Sequence, residues 1–208
     1  MKKAKQLNLF NHQNFSESAL AGLGLTKTGA RMTELGGDVR KYKRKVARPF
    51  DSRKNHHIVM RSSKAKGMLS MLTRDHKTLV AKILKEKSKK YSIQILQFAN
   101  VGNHLHIAVK TLTNQLLARK QFANFLREVA GLIALRILKA KKGTKRGKFW
   151  DSLVFTKIVG WGKQLKNLLN YLTFNEWEGK NKLIRFGKNP SEGWLLICDP
   201  PTDLRSTN

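Results

Sequence analysis

From Asn55 onward the chain switches between two apolar periodicities, and their order predicts a fold. His56-His57-Ile58-Val59-Met60-Arg61-Ser62 is short, β-branched and followed by a second serine, the pattern of a first strand. Met68, Met71, Leu72, Leu79, Val80, Ile83 and Leu84 then recur at spacings of three, four and seven. This predicts an amphipathic helix over about residues 66–88, with Lys and Arg outward. Tyr91 to Phe98 alternates with period two through its first half, a second strand. Asn100-Val101-Gly102-Asn103 reads as a turn and residues 104–111 as the antiparallel return strand. Leu117, Phe122, Phe125, Leu126, Val129, Ile133 and Ile137 stripe a second helix over about 114–139. A fourth strand is predicted at 152–159, a third helix at about 163–176 after Gly160-Trp161-Gly162, and a short strand at 194–197.

The order β-α-β-β-α-β-α is most economically folded as an α+β domain of ferredoxin-like (split βαβ) type, an antiparallel sheet with helices packed on one face. Such a fold hosts many activities and specifies none. The body is bounded at 55–180. Residues 1–54 read as a basic, largely irregular N-terminal extension, broken by Gly22, Gly24, Gly29, Gly36 and Gly37. Residues 181–208 read as a C-terminal tail with Pro190, Pro200 and Pro201.

Charge narrows the choice of partner. The 208 residues carry 42 Lys+Arg against 13 Asp+Glu, a formal net charge of +29. Self-repulsion on this scale favours binding to a polyanion, and nucleic acid is the obvious one. A membrane is not expected, because no apolar run approaches the ~18–20 residues needed to span one. The N-terminal Met1 to Leu7 does not lead into an apolar signal segment, so a cytoplasmic location is expected. The single cysteine, Cys198, excludes an intrachain disulfide and a cysteine-based zinc site. Two basic runs are candidate phosphate contacts: Lys43, Arg44, Lys45 and Arg48 in the extension, and Lys145, Arg146 and Lys148 in a glycine-bearing loop. Their competing reading is a solvated tail and a solubilising loop. Contacts of this kind carry affinity and salt dependence, not sequence choice.

Candidate chemistry centres on Asn103-His104-Leu105-His106. On a strand, His104 and His106 share one face while Leu105 and Ile107 take the other. Two imidazoles so placed can hold a divalent cation. Two partly buried, hydrogen-bonded histidines satisfy the same spacing. On the third helix Leu165, Leu168, Leu169 and Leu172 form a narrow stripe, and Tyr171 and Asn175 lie a turn apart along its flank. A tyrosine beside such a stripe is also an ordinary packing residue. Of the three tyrosines, Tyr42 lies in the basic extension and Tyr91 heads a strand. His56 and His57 read as surface or packing residues, and His12 and His76 receive no role. Phe149, Trp150 and Trp161 suit either core packing or stacking on unpaired bases.

The His-hydrophobic-His strand followed by Tyr171-x-x-x-Asn175 resembles the single-tyrosine HUH transposases. The branch with the REP-associated tyrosine transposases is the most similar. The resemblance covers roughly residues 55–180 and includes strand order, the Asn before His104 and Phe149-Trp150-Asp151 before the last strand. It implies an HUH endonuclease fold and a DNA transposase that cleaves and rejoins single-stranded or hairpin DNA. It further implies that Tyr171 attacks a phosphodiester, leaving a 5′-phosphotyrosine link and a free 3′-hydroxyl. His104, His106 and Asn175 would hold Mg²⁺ or Mn²⁺, although Asn is shorter than the Gln often found at the matching place. A homodimer is the expected assembly. A phenol, with a pKa of ~10, is a poor nucleophile at neutral pH and needs a well-placed electrophile, which a cation on the phosphate supplies. No Gly-x-x-x-x-Gly-Lys-Ser/Thr loop is present, as expected for strand transfer without a nucleotide. The rival readings are a replication initiator or relaxase of the HUH type, and a non-catalytic nucleic-acid-binding protein on the same kind of sheet.

Overall fold

The computed structural model describes residues 33–37, 46–113, 115–140, 147–180, 183–185 and 194–196. In chain order its elements are β1 (Glu34–Leu35), β2 (Asn55–Arg61), α1 (Arg74–Lys90), β3 (Ile93–Asn100) and β4 (His104–Thr111). They continue with α2 (Gln115–Ile137), β5 (Phe155–Val159), α3 (Lys163–Gly179), β6 (Leu183–Arg185) and β7 (Trp194–Leu196). Strands β1 to β5 form one antiparallel sheet in the order β1-β5-β2-β4-β3, and β6 pairs with β7 separately. Helix α1 carries the chain from β2 to the outer β3 and leaves a gap that β4 fills, the split βαβ arrangement.

Side-chain alternation sorts the sheet into two faces. Ile58 and Met60 of β2, Ile93 of β3, and Leu105, Ile107 and Val109 of β4 are buried against α1 and α2. Val80, Ile83 and Leu84 of α1 and Phe122, Phe125, Leu126, Val129, Ile133 and Ile137 of α2 complete this main core. At ~25 cal/mol per Å² of buried apolar surface, burial of so many large side chains is the main force holding the helices to the sheet. The opposite face carries a thinner cluster, in which Ala99, Ala108 and Val159 meet Leu168 and Leu172 of α3. The expected one-sided arrangement therefore holds for α1 and α2, but α3 covers the other face. The two alanines leave room there for a helix to approach closely, and the leucine stripe fits into that room.

Two local departures from the expected elements bear on the site. The period-two pattern stops midway through β3 because the strand bulges there. Ile95 pairs with Val109 and Gln97 with Ala108, so Leu96 is an extra residue in the ladder. Helix α1 begins at Arg74 rather than near residue 66. Thr73 caps it by accepting from the His76 backbone N–H at 3.4 Å, and Lys87, Lys89 and Lys90 sit in its last turn, where the dipole favours cations. Gly67–Leu69 is instead a 3₁₀ turn, after which the chain packs on the β3–β4 turn. There the Met71 N–H donates to Gly102 O at 2.9 Å, and Asn100 Nδ2 donates to Met71 O at 2.7 Å.

Part of the stretch expected as an N-terminal extension joins the body. Glu34 and Leu35 pair with Lys157 and Thr156 at the sheet edge. Arg48, expected to touch phosphate, is instead a brace for that edge. Its Nη1 donates to Val154 O at 2.8 Å, Thr156 Oγ1 at 2.6 Å and, more weakly, Leu35 O at 3.4 Å. Carbonyl dipoles around a partly buried guanidinium explain the difference. The expected phosphate contacts Lys43, Arg44, Lys45, Lys145 and Arg146 lie outside the described residues. Among the described residues no helix is long and apolar enough to cross a membrane.

Candidate active site

The site grows from β4, a strand paired on both sides, to β2 and to β3. Because Leu105 and Ile107 are fully buried in the main core, the pleat turns His104 and His106 to the α3 face. Their rings contact edge to face, centroids 4.9 Å apart. The turn that launches β4 is fixed from several sides. Asn100 Oδ1 accepts from the Gly102 N–H at 3.0 Å, and the Ser62 N–H donates to Asn103 O at 2.8 Å. Gly102 has φ +93°, and a Cβ there would press on Ser70 and Leu72. The same turn abuts the end of α3, where a Cβ on Gly179 would lie 2.4 Å from Asn100 O.

Helix α3 brings the second half. Leu168 and Leu172 are drawn into the smaller cluster, which places Tyr171 beside them, partly buried over the histidines. The Tyr171 ring stands edge-on to His106, with centroids 5.3 Å apart and planes at 89°. Asn175 is buried, and its Nδ2 donates to the Tyr171 carbonyl oxygen at 2.7 Å. The amide nitrogen is thus used within the helix, and Oδ1 is the atom that a cation could take. Gln97, on the bulged part of β3, lies 2.8 Å from the Thr173 hydroxyl and ties α3 to the sheet between these residues.

The sequence reading missed one residue of this cluster. His57, read as surface or packing, lies in β2 with its side chain on the α3 face, between Ala108 and Lys157 in the neighbouring strands. Its Nε2 is 3.2 Å from His106 Nδ1, and its ring is edge-on to Tyr171 with centroids 6.3 Å apart. Burial, with a smaller contribution from the Lys157 ammonium, pushes the His57 pKa down to about 4, so the ring is neutral near pH 7. The signal was available: with Ile58 and Met60 assigned to the core, alternation turns His57 and Val59 to the opposite face. Asn103, noted in the sequence only as a neighbour of His104, places Oδ1 2.5 Å from His104 Nδ1. An open cleft of about 400 Å³ adjoins His57, with Thr33, Lys157, Gln164 and Asn167 among its walls.

The donor set suits a divalent cation. Two imidazoles share one rigid face, and each has Nδ1 beside a hydrogen-bonding partner, which leaves Nε2 as the nitrogen to ligate. No cluster of three or more His, Cys, Asp or Glu side chains suited to a metal occurs among the described residues. A cation on His104 and His106 would therefore draw further donors from amides, phosphate or water.

The other expected residues lie apart from this cluster. Lys148 is exposed, and its Nζ donates to Asp151 O at 3.2 Å. Phe149 is buried in the main core, and Trp150 Nε1 donates to Ala130 O at 2.8 Å. Trp161 is 56% exposed, with Lys110 Nζ 4.9 Å from its ring centroid. His56, on the opposite face from His57, stacks on Phe50 and meets the tilted ring of Phe122.

Comparison with solved structures finds a REP-associated tyrosine transposase bound to a REP hairpin. The match has 11% sequence identity, covers 64% of this chain and 72% of that one, and gives a TM-score of 0.50. A protein of Deinococcus radiodurans R1 provisionally described as a transposase matches at 13% identity over 64% of this chain and 98% of that one, with a TM-score of 0.37. At 11% identity the likeness to the REP-associated transposase is one of fold. No curated protein matches the chain. The family model for IS200-like transposases matches residues 51–175, more than half of the sequence and every residue of the cluster described above. The chain belongs to the IS200-like transposase family.

Proposed function

We propose that this transposase cleaves and rejoins single-stranded DNA through Tyr171, with a divalent cation held by His104, His106 and Asn175. The observation that carries the reading is the edge-on contact of Tyr171 with His106 across the gap between α3 and β4. It brings the one described tyrosine on α3 to the pair of imidazoles. Tyr171 Oη forms a bond to phosphorus while the bond from phosphorus to the 3′-oxygen breaks. The proton lost by the phenol is matched by the one gained at the new 3′-hydroxyl. The 5′-phosphotyrosine link keeps the bond energy, so a second 3′-hydroxyl can reverse the step on another strand. A bound Mg²⁺ or Mn²⁺ would polarise the phosphoryl oxygens and orient the scissile group. Asn175 holds the helix turn that bears Tyr171, and the α3 contacts fix the approach of the phenol.

Hairpin-bearing single-stranded DNA is the proposed substrate, in line with the REP hairpin in the related structure. The net charge of +29 supplies the long-range attraction, with Lys148 and the basic runs around residues 43–45 and 145–146 as backbone contacts. Incubation with labelled hairpin DNA and Mn²⁺ should give an adduct that survives denaturation. Its absence with the wild type, or its undiminished formation by Tyr171→Phe, would overturn the reading.

A further inference from the structure

We propose that His57 is a positioning residue of this site: it accepts a hydrogen bond from His106 Nδ1 and so fixes the tautomer that presents Nε2 to a divalent cation. The proposal rests on the metal-dependent reading above. Its geometry is the 3.2 Å separation between His57 Nε2 and His106 Nδ1, with the two rings stacked at 18°.

A neutral imidazole carries one N–H, so only two arrangements satisfy this contact. If His57 donates, His106 accepts at Nδ1 and must carry its own hydrogen on Nε2, which blocks that nitrogen as a ligand. If His106 donates, its Nε2 carries a lone pair in place of a hydrogen, and the hydrogen of His57 sits on Nδ1. Only the second arrangement is compatible with a cation. The first histidine shows the same design with a different partner. Asn103 Oδ1 lies 2.5 Å from His104 Nδ1, and a carboxamide oxygen can only accept. Both rings thus have an acceptor at Nδ1, one from the preceding residue and one from a neighbouring strand. Such outer partners orient metal-binding histidines and raise their basicity.

The β-ladder makes the His57 contact stiff. His57 is opposite Ala108 and His106 opposite Val59, so the two imidazoles are diagonal neighbours on adjacent strands. Ala108 is too small to separate them. The edge contact of His57 with Tyr171 lets the same ring support the nucleophile from the β2 side.

The test compares His57→Leu, which cannot accept, with His57→Gln, whose Oε1 can reach the place of Nε2. Mn²⁺ affinity would be measured by titration calorimetry on the full chain, with thermal unfolding without metal as the check on folding. His57→Leu should bind Mn²⁺ ~10–100-fold more weakly, the usual cost of losing such a partner, while His57→Gln should keep most of the affinity. In wild type with Mg²⁺, the ¹⁵N shift of His106 Nδ1 should be that of a protonated nitrogen. Unchanged Mn²⁺ affinity in His57→Leu, equal losses in both variants, or an unprotonated His106 Nδ1 would each overturn the proposal. If His57→Leu does not fold, the Gln comparison and the wild-type ¹⁵N shift still decide it. The two readings fail separately. A wild type that forms the DNA adduct but shows no His57 effect on Mn²⁺ rejects only the positioning role. One that binds Mn²⁺ as described but forms no adduct rejects only the nuclease reading.

Discussion

The ring of Tyr171 meets that of His106 edge-on, and the contact joins α3 to β4 beside the small cluster of Ala99, Ala108, Val159, Leu168 and Leu172. The proposed mechanism gives each ring a separate task, so the substitutions should separate. Tyr171→Phe keeps the edge contact and should bind Mn²⁺ as wild type does while forming no covalent adduct. His106→Ala should lose Mn²⁺ binding and, with it, most adduct formation. Calorimetry with Mn²⁺ and denaturing electrophoresis of labelled DNA check the pair. Loss of Mn²⁺ affinity in Tyr171→Phe would contradict this division of roles.

Arg48 offers a test of structural against DNA-binding charge. Its guanidinium bonds Val154 O and Thr156 Oγ1 inside the edge of the sheet. Arg48→Ala should therefore lower stability by about 2 kcal/mol, the scale of losing hydrogen bonds from a charged donor. The slope of log affinity against log salt for single-stranded DNA should stay as in wild type. Lys148→Ala, by contrast, should reduce that slope with little change in the unfolding midpoint. Urea unfolding and a salt series of DNA titrations give both numbers.

The same substitution should have opposite signs at two helical glycines. A Cβ on Gly131 of α2 meets nothing within 4 Å, so Gly131→Ala should stabilise by roughly 0.5–1 kcal/mol through helix propensity. A Cβ on Gly179 would fall 2.4 Å from Asn100 O and 3.2 Å from Val101 Cα, both backbone atoms. Gly179→Ala should destabilise by about 1–3 kcal/mol and also slow adduct formation, because it pushes α3 away from the turn that launches His104. Thermal unfolding of the two variants side by side tests this directly.

Much of this site was legible in the sequence because its parts follow strict periods. Alternation along 104–111 placed both histidines on one face, and the leucine stripe of α3 placed Tyr171 on its flank. Three features were not legible, each for a physical reason. The bulge at Leu96 is one extra residue in a ladder, and sequence alternation merely stops there. The late start of α1 depends on the Thr73 cap, since the apolar spacing of Met68, Met71 and Leu72 suits a helix equally well. The side on which α3 packs depends on two alanines in separate strands, a tertiary pairing with no local signature. His57 was legible from the same alternation that places Ile58 and Met60 in the core, which turns it to the face of His104 and His106.

His56 gives the chain a pH dependence of its own. It is fully buried between Phe50 and Phe122, and burial pushes its pKa down to about 4, with Asp51 opposing the shift. The Asp51 N–H points at its Nε2 at 3.4 Å, and Nδ1 has no hydrogen-bond partner among the described residues. Above pH 6.5 both folded and unfolded chains hold a neutral ring. As pH falls from 6.5 to about 4 the unfolded chain takes up a proton that the folded chain refuses, so stability falls; below about 4 the loss is complete. A shift of this size corresponds to about 3 kcal/mol. His56→Phe should remove that part of the acid sensitivity, read as the difference between the two stability–pH curves. Parallel curves for variant and wild type would show that His56 does not titrate in this way.

Helix α3 folds back onto the sheet of its own chain, so Tyr171 and the two imidazoles meet within one polypeptide. With Tyr171 as the proposed nucleophile and His104 and His106 as the proposed cation ligands, that placement predicts that each molecule is self-sufficient, whatever assembly it joins. Mixing Tyr171→Phe with His106→Ala should then restore no activity, because neither partner can lend its intact half to the other. Restored adduct formation in the mixture would mean that helices are exchanged between copies. The dose of active chains, not the pairing of complementary ones, should set the rate.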